Sequence, residues 1–145
     1  MLYLDSSAFV KRYLREVGSE LLQERLRSNP TLCSSAIGYA EIHATLARKA
    51  VRKEVGRGEF LQLRNRFELD WLDVQEIAVD RETLSPVAPL VESFDLRGMD
   101  AIHLAAAIWM WRKTDEKLEL VTSDEDLLLA ARSLGLTAWD PTANA

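Results

Sequence analysis

Met1-Leu2-Tyr3-Leu4-Asp5-Ser6-Ser7 opens the chain and sets its architecture. Leu2, Tyr3 and Leu4 make an apolar run of strand length, and Asp5-Ser6-Ser7 behind it reads as the turn into a helix, with Ser6 and Ser7 as candidate caps. A carboxylate is thus delivered at the carboxyl end of a buried strand. In an open parallel sheet that edge is where ligands bind, because the loops there open into a crevice beside helix N-termini. Taken alone, Asp5 reads more readily as a helix cap than as the first member of an acidic metal site.

The same strand-then-polar pattern recurs along the chain. Residues 31–34 and 118–121 are short apolar strands, 74–79 is an edge-like strand carrying Gln75 and Glu76, and 136–139 is a final strand. Between them, helical spacing marks 7–15, 20–26, a long amphipathic helix from 36 to about 53, then 60–72, 81–94 with a break at Pro86 and Pro89, 98–113, and 125–134 ended by Gly135. Short apolar strands alternating with helices predict an α/β fold with a mainly parallel central sheet, built as one domain over 1–145. The helices 36–53 and 60–72 are placed to form a projecting hairpin.

Composition narrows the setting. A chain of 145 residues buries enough surface to need no staple, and its single Cys33, in an apolar stretch, cannot form an internal bridge. No stretch approaches the ~20 apolar residues of a membrane span, so the expectation is a soluble, cytoplasmic protein. The net charge of −5 argues against a nucleic-acid partner. Two divalent cations held by acids would bring that figure to about −1 and change the field a phosphate meets. The basic residues also cluster, as Lys11, Arg12 and Arg15, and as Arg48, Lys49, Arg52, Lys53 and Arg57. Each cluster reads equally well as a solvated helix face or a phosphate-tracking surface.

Four acids carry the functional reading. Ile37, Ala40, Glu41, Ala44 and Ala47 share a helical stripe, which places Glu41 on an inward face where a carboxylate must be paired, protonated or metal-bound. Asp100 lies in the first turn of the most apolar helix, where the helix dipole alone also favours an acid. Asp124 stands at the same kind of strand-to-helix corner as Asp5, and Ser123 with Asp126 has capping-box spacing. His103, three residues after Asp100, shares its face and is expected to bond a neighbour more readily than a metal. In a parallel sheet these corners open on one edge, so Asp5, Glu41, Asp100 and Asp124 can converge. Most of them have no Lys or Arg immediately beside them in sequence. Two carboxylates about 4 Å apart repel by ~4 kcal/mol at an effective dielectric near 20, so such a cluster calls for a cation. Oxygen-only ligands suit Mg²⁺ or Mn²⁺, and His43, His103 and Cys33 make no zinc set.

The runs Leu4-Asp5-Ser6-Ser7-Ala8, the Glu41 helix, Leu96-Arg97-Gly98-Met99-Asp100-Ala101-Ile102-His103-Leu104-Ala105 and Val121-Thr122-Ser123-Asp124 resemble, in order, the acidic motifs of PIN-domain ribonucleases, specifically the VapC toxins of toxin–antitoxin pairs. The resemblance covers essentially the whole chain. It implies an α/β/α sandwich and an Mg²⁺-dependent endoribonuclease acting on tRNA or ribosomal RNA. It further implies a homodimer inhibited by a VapB-type antitoxin. Asp5, Glu41, Asp100 and Asp124 would then bind metal, with Ser6, Thr122 and Ser123 in support. Thr122 or Ser123 would steady a metal-bound water or the Asp124 carboxylate, and Asp126 stays outside the site. Competing readings are a housekeeping RNA-processing nuclease, a non-catalytic RNA-binding module and a receiver-type signalling domain. The last lacks an acidic pair after the first strand, where Ser6 and Ser7 follow Asp5.

Overall fold

The computed structural model describes residues 1–143. Five strands, β1 (Leu2–Leu4), β2 (Leu32–Ser35), β3 (Gln75–Ile77), β4 (Glu119–Val121) and β5 (Thr137–Trp139), form one sheet in the order β3-β2-β1-β4-β5. Every pairing is parallel. Each of the first four strands is therefore followed by a helical crossover, as the alternation in sequence requires. The crossovers are α1 (Ser6–Phe9) and α2 (Ser19–Leu26), then α3 (Ala36–Val51) and α4 (Arg57–Trp71), then α5 (Arg81–Leu84), α6 (Val87–Ser93) and α7 (Gly98–Lys113), and finally α8 (Glu125–Ser133).

The two faces of β1 follow from strand periodicity. Leu2 and Leu4 join a core with Phe9, Leu22, Ile42, Leu46, Phe67 and Trp71. Tyr3, pointing the other way, joins Cys33, Leu104, Leu120, Leu127 and the alanines of α7 and α8. The result is the expected three-layer α/β/α arrangement. Among the described residues no helix is long and apolar enough to cross a membrane.

Three local expectations need correction. The first helix does not run to residue 15: α1 gives way to a 3-10 turn at Val10–Arg12, and this tighter winding lets Phe9, Val10 and Tyr13 all be buried. The buried stripe of α3 is Gly38, Ile42 and Leu46 rather than the alanine stripe, because the branched side chains have more surface to remove from water. Glu41 consequently borders the core instead of facing into it. Phe9 and Tyr13, which with Phe60 read from sequence equally as core or as an apolar groove for a partner segment, pack into the core with Phe67.

Gly38 packs α3 closely against β2 and α7. A Cβ there would lie 2.9 Å from Ser34 Oγ and 3.5 Å from a ring carbon of His103. Ser34 Oγ cannot easily retreat, since it is buried and donates to Leu4 O at 2.7 Å. Helix propensity alone would make Gly38→Ala stabilising by roughly 1 kcal/mol. The crowding reverses the sign, and a net loss of about 1–3 kcal/mol is expected in urea unfolding, whereas a gain would show that the packing here is slack.

Candidate active site

The chain leaves β1 towards β2 on one side and β4 towards β5 on the other, so the strand order reverses between β1 and β4. At such a switch point the connections diverge and leave a crevice beyond the strand ends. Asp5 follows β1 directly and Asp124 lies three residues beyond β4, with Asp5 N–H donating to Val121 O at 3.2 Å across the join.

Asp5 is 3% exposed and fully engaged. Its Oδ1 accepts from Ala8 N at 2.8 Å, its Oδ2 accepts from Thr122 Oγ1 at 2.7 Å, and Ser7 Oγ lies 2.8 and 2.9 Å from the two oxygens. Asp5 itself is thus the helix cap, not Ser6 or Ser7, because its carboxylate reaches the free N–H of the first turn. Burial pushes its pKa up, opposed by His103 and by the hydroxyl and backbone donors.

Thr122 and Ser123 contact groups other than the Asp124 carboxylate. Thr122 Oγ1 donates to Asp5 and accepts from Asp124 N at 3.0 Å, so it ties the first acid to the backbone of the last rather than steadying the Asp124 carboxylate. Asp124 caps α8 through Leu127 N at 2.9 Å, which removes the capping box suggested by Ser123 and Asp126; Asp126 is exposed. Ser123 N donates to Ser7 Oγ at 2.9 Å, while its own buried Oγ has no hydrogen-bond partner among the described residues.

Glu41 and Asp100 come from the two flanking layers. His103 lies between Tyr3 and Glu41, with Nδ1 2.9 Å from Tyr3 Oη and Nε2 2.7 Å from Glu41 Oε2. Ser35 N donates to the same Tyr3 oxygen at 3.2 Å, and the ring's Nε2–H donates to the Glu41 carboxylate, which can only accept. Burial works to raise the Glu41 pKa, but the hydrogen bond and charge of His103, with lesser help from Ser6 and Arg48, hold it below the usual value. Asp100 is raised, first by desolvation and then by repulsion from Asp124, with Asp5 a smaller contributor.

Arg97 bridges the remaining pair, with Nε 3.4 Å from Asp100 Oδ2 and Nη2 3.4 Å from Asp124 Oδ2, although its side chain is 84% exposed. The expectation of acids without a basic neighbour overlooked it, despite a spacing of i to i+3 from Asp100. Ser7 was equally legible, two residues after the acid it holds. Tyr3 was not, since its role depends on a histidine a hundred positions away.

Among the described residues no three His, Cys, Asp or Glu side chains are gathered closely enough to hold an ion as they stand. Arg97 already occupies Asp100 and Asp124, and His103 holds Glu41. The donor set nevertheless suits a hard divalent cation: it is all oxygen, and Asp124 and Asp5 repel Asp100.

Residues 2–133 match the family model described as PIN domain. The chain belongs to the PIN-domain family. Over 141 residues it is 35% identical to Ribonuclease VapC46 of Mycobacterium tuberculosis, covering 97% of this chain and 98% of that protein, which places it with the VapC ribonucleases. Among solved structures, FitAcB from Neisseria gonorrhoeae superposes with a TM-score of 0.72 at 17% identity, covering 99% of each chain. VapBC2 from Rickettsia felis, bound to a DNA fragment from their promoter, gives 0.64 at 15% identity, covering 97% of this chain and 98% of that one. These two similarities concern the fold.

The raised pKa of Asp100 has a consequence for stability. A carboxyl whose folded pKa exceeds its unfolded value, about 3.9, stabilises fully below that value and loses this contribution as pH rises through the folded one. In EDTA, Asp100→Asn is therefore expected to melt a few degrees above wild type at pH 7, with the difference vanishing in acid. A lower melting point at pH 7 would mean that the charge chiefly serves the N-terminus of α7.

Proposed function

We propose that the chain is the endoribonuclease toxin of a toxin–antitoxin pair and that Asp5, Glu41, Asp100 and Asp124 hold Mg²⁺, with Mn²⁺ as a substitute. The observation that supports this reading is that acids just past the ends of β1 and β4 and in the first turn of α7 face one switch point, where burial first, and then the charges of Asp124 and Asp5, raise Asp100. Its standing as an RNA-cleaving enzyme is supported by the kinship with VapC ribonucleases. When bound, a divalent cation supplies a water of lowered pKa and charge compensation at the leaving oxygen, chemistry that gives 5′-phosphate and 3′-hydroxyl ends.

The chain's own residues divide the remaining work. Asp5 is locked by Ser7, Thr122 and the Ala8 N–H, so it forms the fixed point of the site. Glu41 is aimed by the His103 Nε2–H, which is itself oriented by Tyr3. Ser6 and Ser123 are the proposed supporting hydroxyls. Arg97 balances Asp100 and Asp124 until a cation does so, and its planar fork is then free to pair with a phosphate of the substrate.

The partner reading follows the same kinship. A VapB-type antitoxin is the proposed inhibitor, supported by the toxin–antitoxin complex from Klebsiella pneumoniae, which shares the fold at a TM-score of 0.64. Two copies of the chain form the proposed toxin dimer, and tRNA or ribosomal RNA is the proposed target.

Purified protein free of antitoxin is expected to cleave RNA with Mg²⁺ and to stop in EDTA. Asp5→Asn should lower kcat by at least about 100-fold, because a fixed ligand and a helix cap are altered by one atom. Equal cleavage by wild type and this variant would remove the assignment.

A further inference from the structure

The two basic clusters of the sequence meet different fates in the fold. Lys11, Arg12 and Arg15 are engaged by Glu16, Asp70 and Glu20, at 3.5, 3.1 and 3.4 Å. The second cluster lies on the hairpin of α3 and α4. There Lys49 pairs with Glu54, while Arg48, Arg52, Lys53 and Arg57 have no carboxylate partner among the described residues. The first cluster is thus paired within the chain, and four of the five members of the second are not.

Arg48 and Arg52 stand apart from the rest by their register. At 3.6 residues per turn, positions seven and eleven beyond Glu41 return to within roughly 20° of its direction, about 10 and 16 Å further along α3. Only Ala44 and Thr45 lie on this line between Glu41 and Arg48, so no bulky side chain interrupts it. Arg48 and Arg52 are both exposed. Arg48 Nη2 donates to Thr45 Oγ1 at 2.9 Å, which turns the guanidinium back along the helix towards Glu41.

We infer that the α3 face running from Glu41 through Thr45 and Arg48 to Arg52 is the track for the sugar-phosphate backbone of RNA as it leaves the acidic site. The inference rests on the nuclease reading of that site and adds the path of its substrate. RNA fits this row better than a protein segment does. The row begins where the scissile phosphate would be held, and between the charges it offers alanine and threonine but none of the aromatic or large apolar anchors on which protein partners rely. A chain of net charge −5 repels RNA at long range, so local charge pairing of this kind must supply the affinity.

The test uses a short fluorescein-labelled single-stranded RNA of mixed sequence, with affinity read by anisotropy in EDTA over a KCl series. Removing one cation that neutralises a phosphate lowers the slope of log K against log salt by about 0.7, so Arg48→Ala with Arg52→Ala is expected to reduce it by about 1.4. Lysine at both positions should restore most of the slope. In Mg²⁺ the alanine pair should raise KM several-fold and leave kcat within about twofold, the pattern of weakened uniform binding. A control pair, Arg27→Ala with Arg112→Ala, removes two exposed charges elsewhere and should change neither.

An unchanged slope, or an equal reduction in the control pair, would overturn the track even if wild type cleaves RNA normally. Poly-glutamate losing as much affinity as RNA would also overturn it and assign the row to an acidic protein partner. Wild type that binds RNA with the expected slope yet never cleaves it would instead defeat the nuclease reading and leave the track in place.

Discussion

A carboxylate removed from water must find donors for both oxygens, and here the fold supplies them to Asp5 from the first turn of α1 and the end of β4. Ala8 N–H comes from the first turn of α1, the Thr122 hydroxyl from the end of β4, and the Ser7 hydroxyl reaches both oxygens while accepting from Ser123 N. Leaving such a group bare costs several kcal/mol, so the junction of β1 and β4 cannot shift without penalty. That constraint locates the carboxylates of the neighbouring elements. Asp124 follows Thr122 by two residues, and its N–H is held by the same threonine hydroxyl.

Around this fixed point the other acids are balanced by two different means. Glu41 shares its charge with His103, whose far nitrogen is anchored by Tyr3 within the core. Asp100 and Asp124 lean on Arg97, a long, exposed side chain with no other ion-pair partner among the described residues. The first arrangement is buried and rigid, and the second is exposed and exchangeable. An ion entering the site would displace a solvent-exposed guanidinium, at little structural cost, while Asp5 and Glu41 keep their orientation. The difference between the two halves is thus a division between permanent and replaceable counter-charge.

Much of this was legible in the residues themselves. The run Leu2-Tyr3-Leu4 followed by Asp5 indicated a buried strand ending in an acid, and the alternation of strands and helices indicated a parallel sheet with one shared edge. What the chain did not disclose was partnership. Ser6 and Ser7 looked like caps because serine caps helices, but a preceding aspartate with the right backbone does so as well. The alanine stripe of α3 looked inward because alanine counts as apolar, yet Ile42 and Leu46 bury more surface and decide which face turns in. Tyr3 and His103 meet only through the crossing of β1 and α7, so no local pattern could announce the pair. The two basic clusters looked alike in sequence and were separated only by whether an acid from another segment reached them.

The central claim is that Asp5 anchors a set of acids that bind a divalent cation. Titration of the antitoxin-free protein with Mn²⁺, followed by the electron paramagnetic resonance of the free ion, tests it without reference to RNA. Wild type is expected to remove Mn²⁺ from solution in saturable, stoichiometric fashion and to release it to excess Mg²⁺, while Asp5→Asn, folded by circular dichroism, leaves the signal of free Mn²⁺ almost undiminished. Equal uptake by the two proteins would contradict the account.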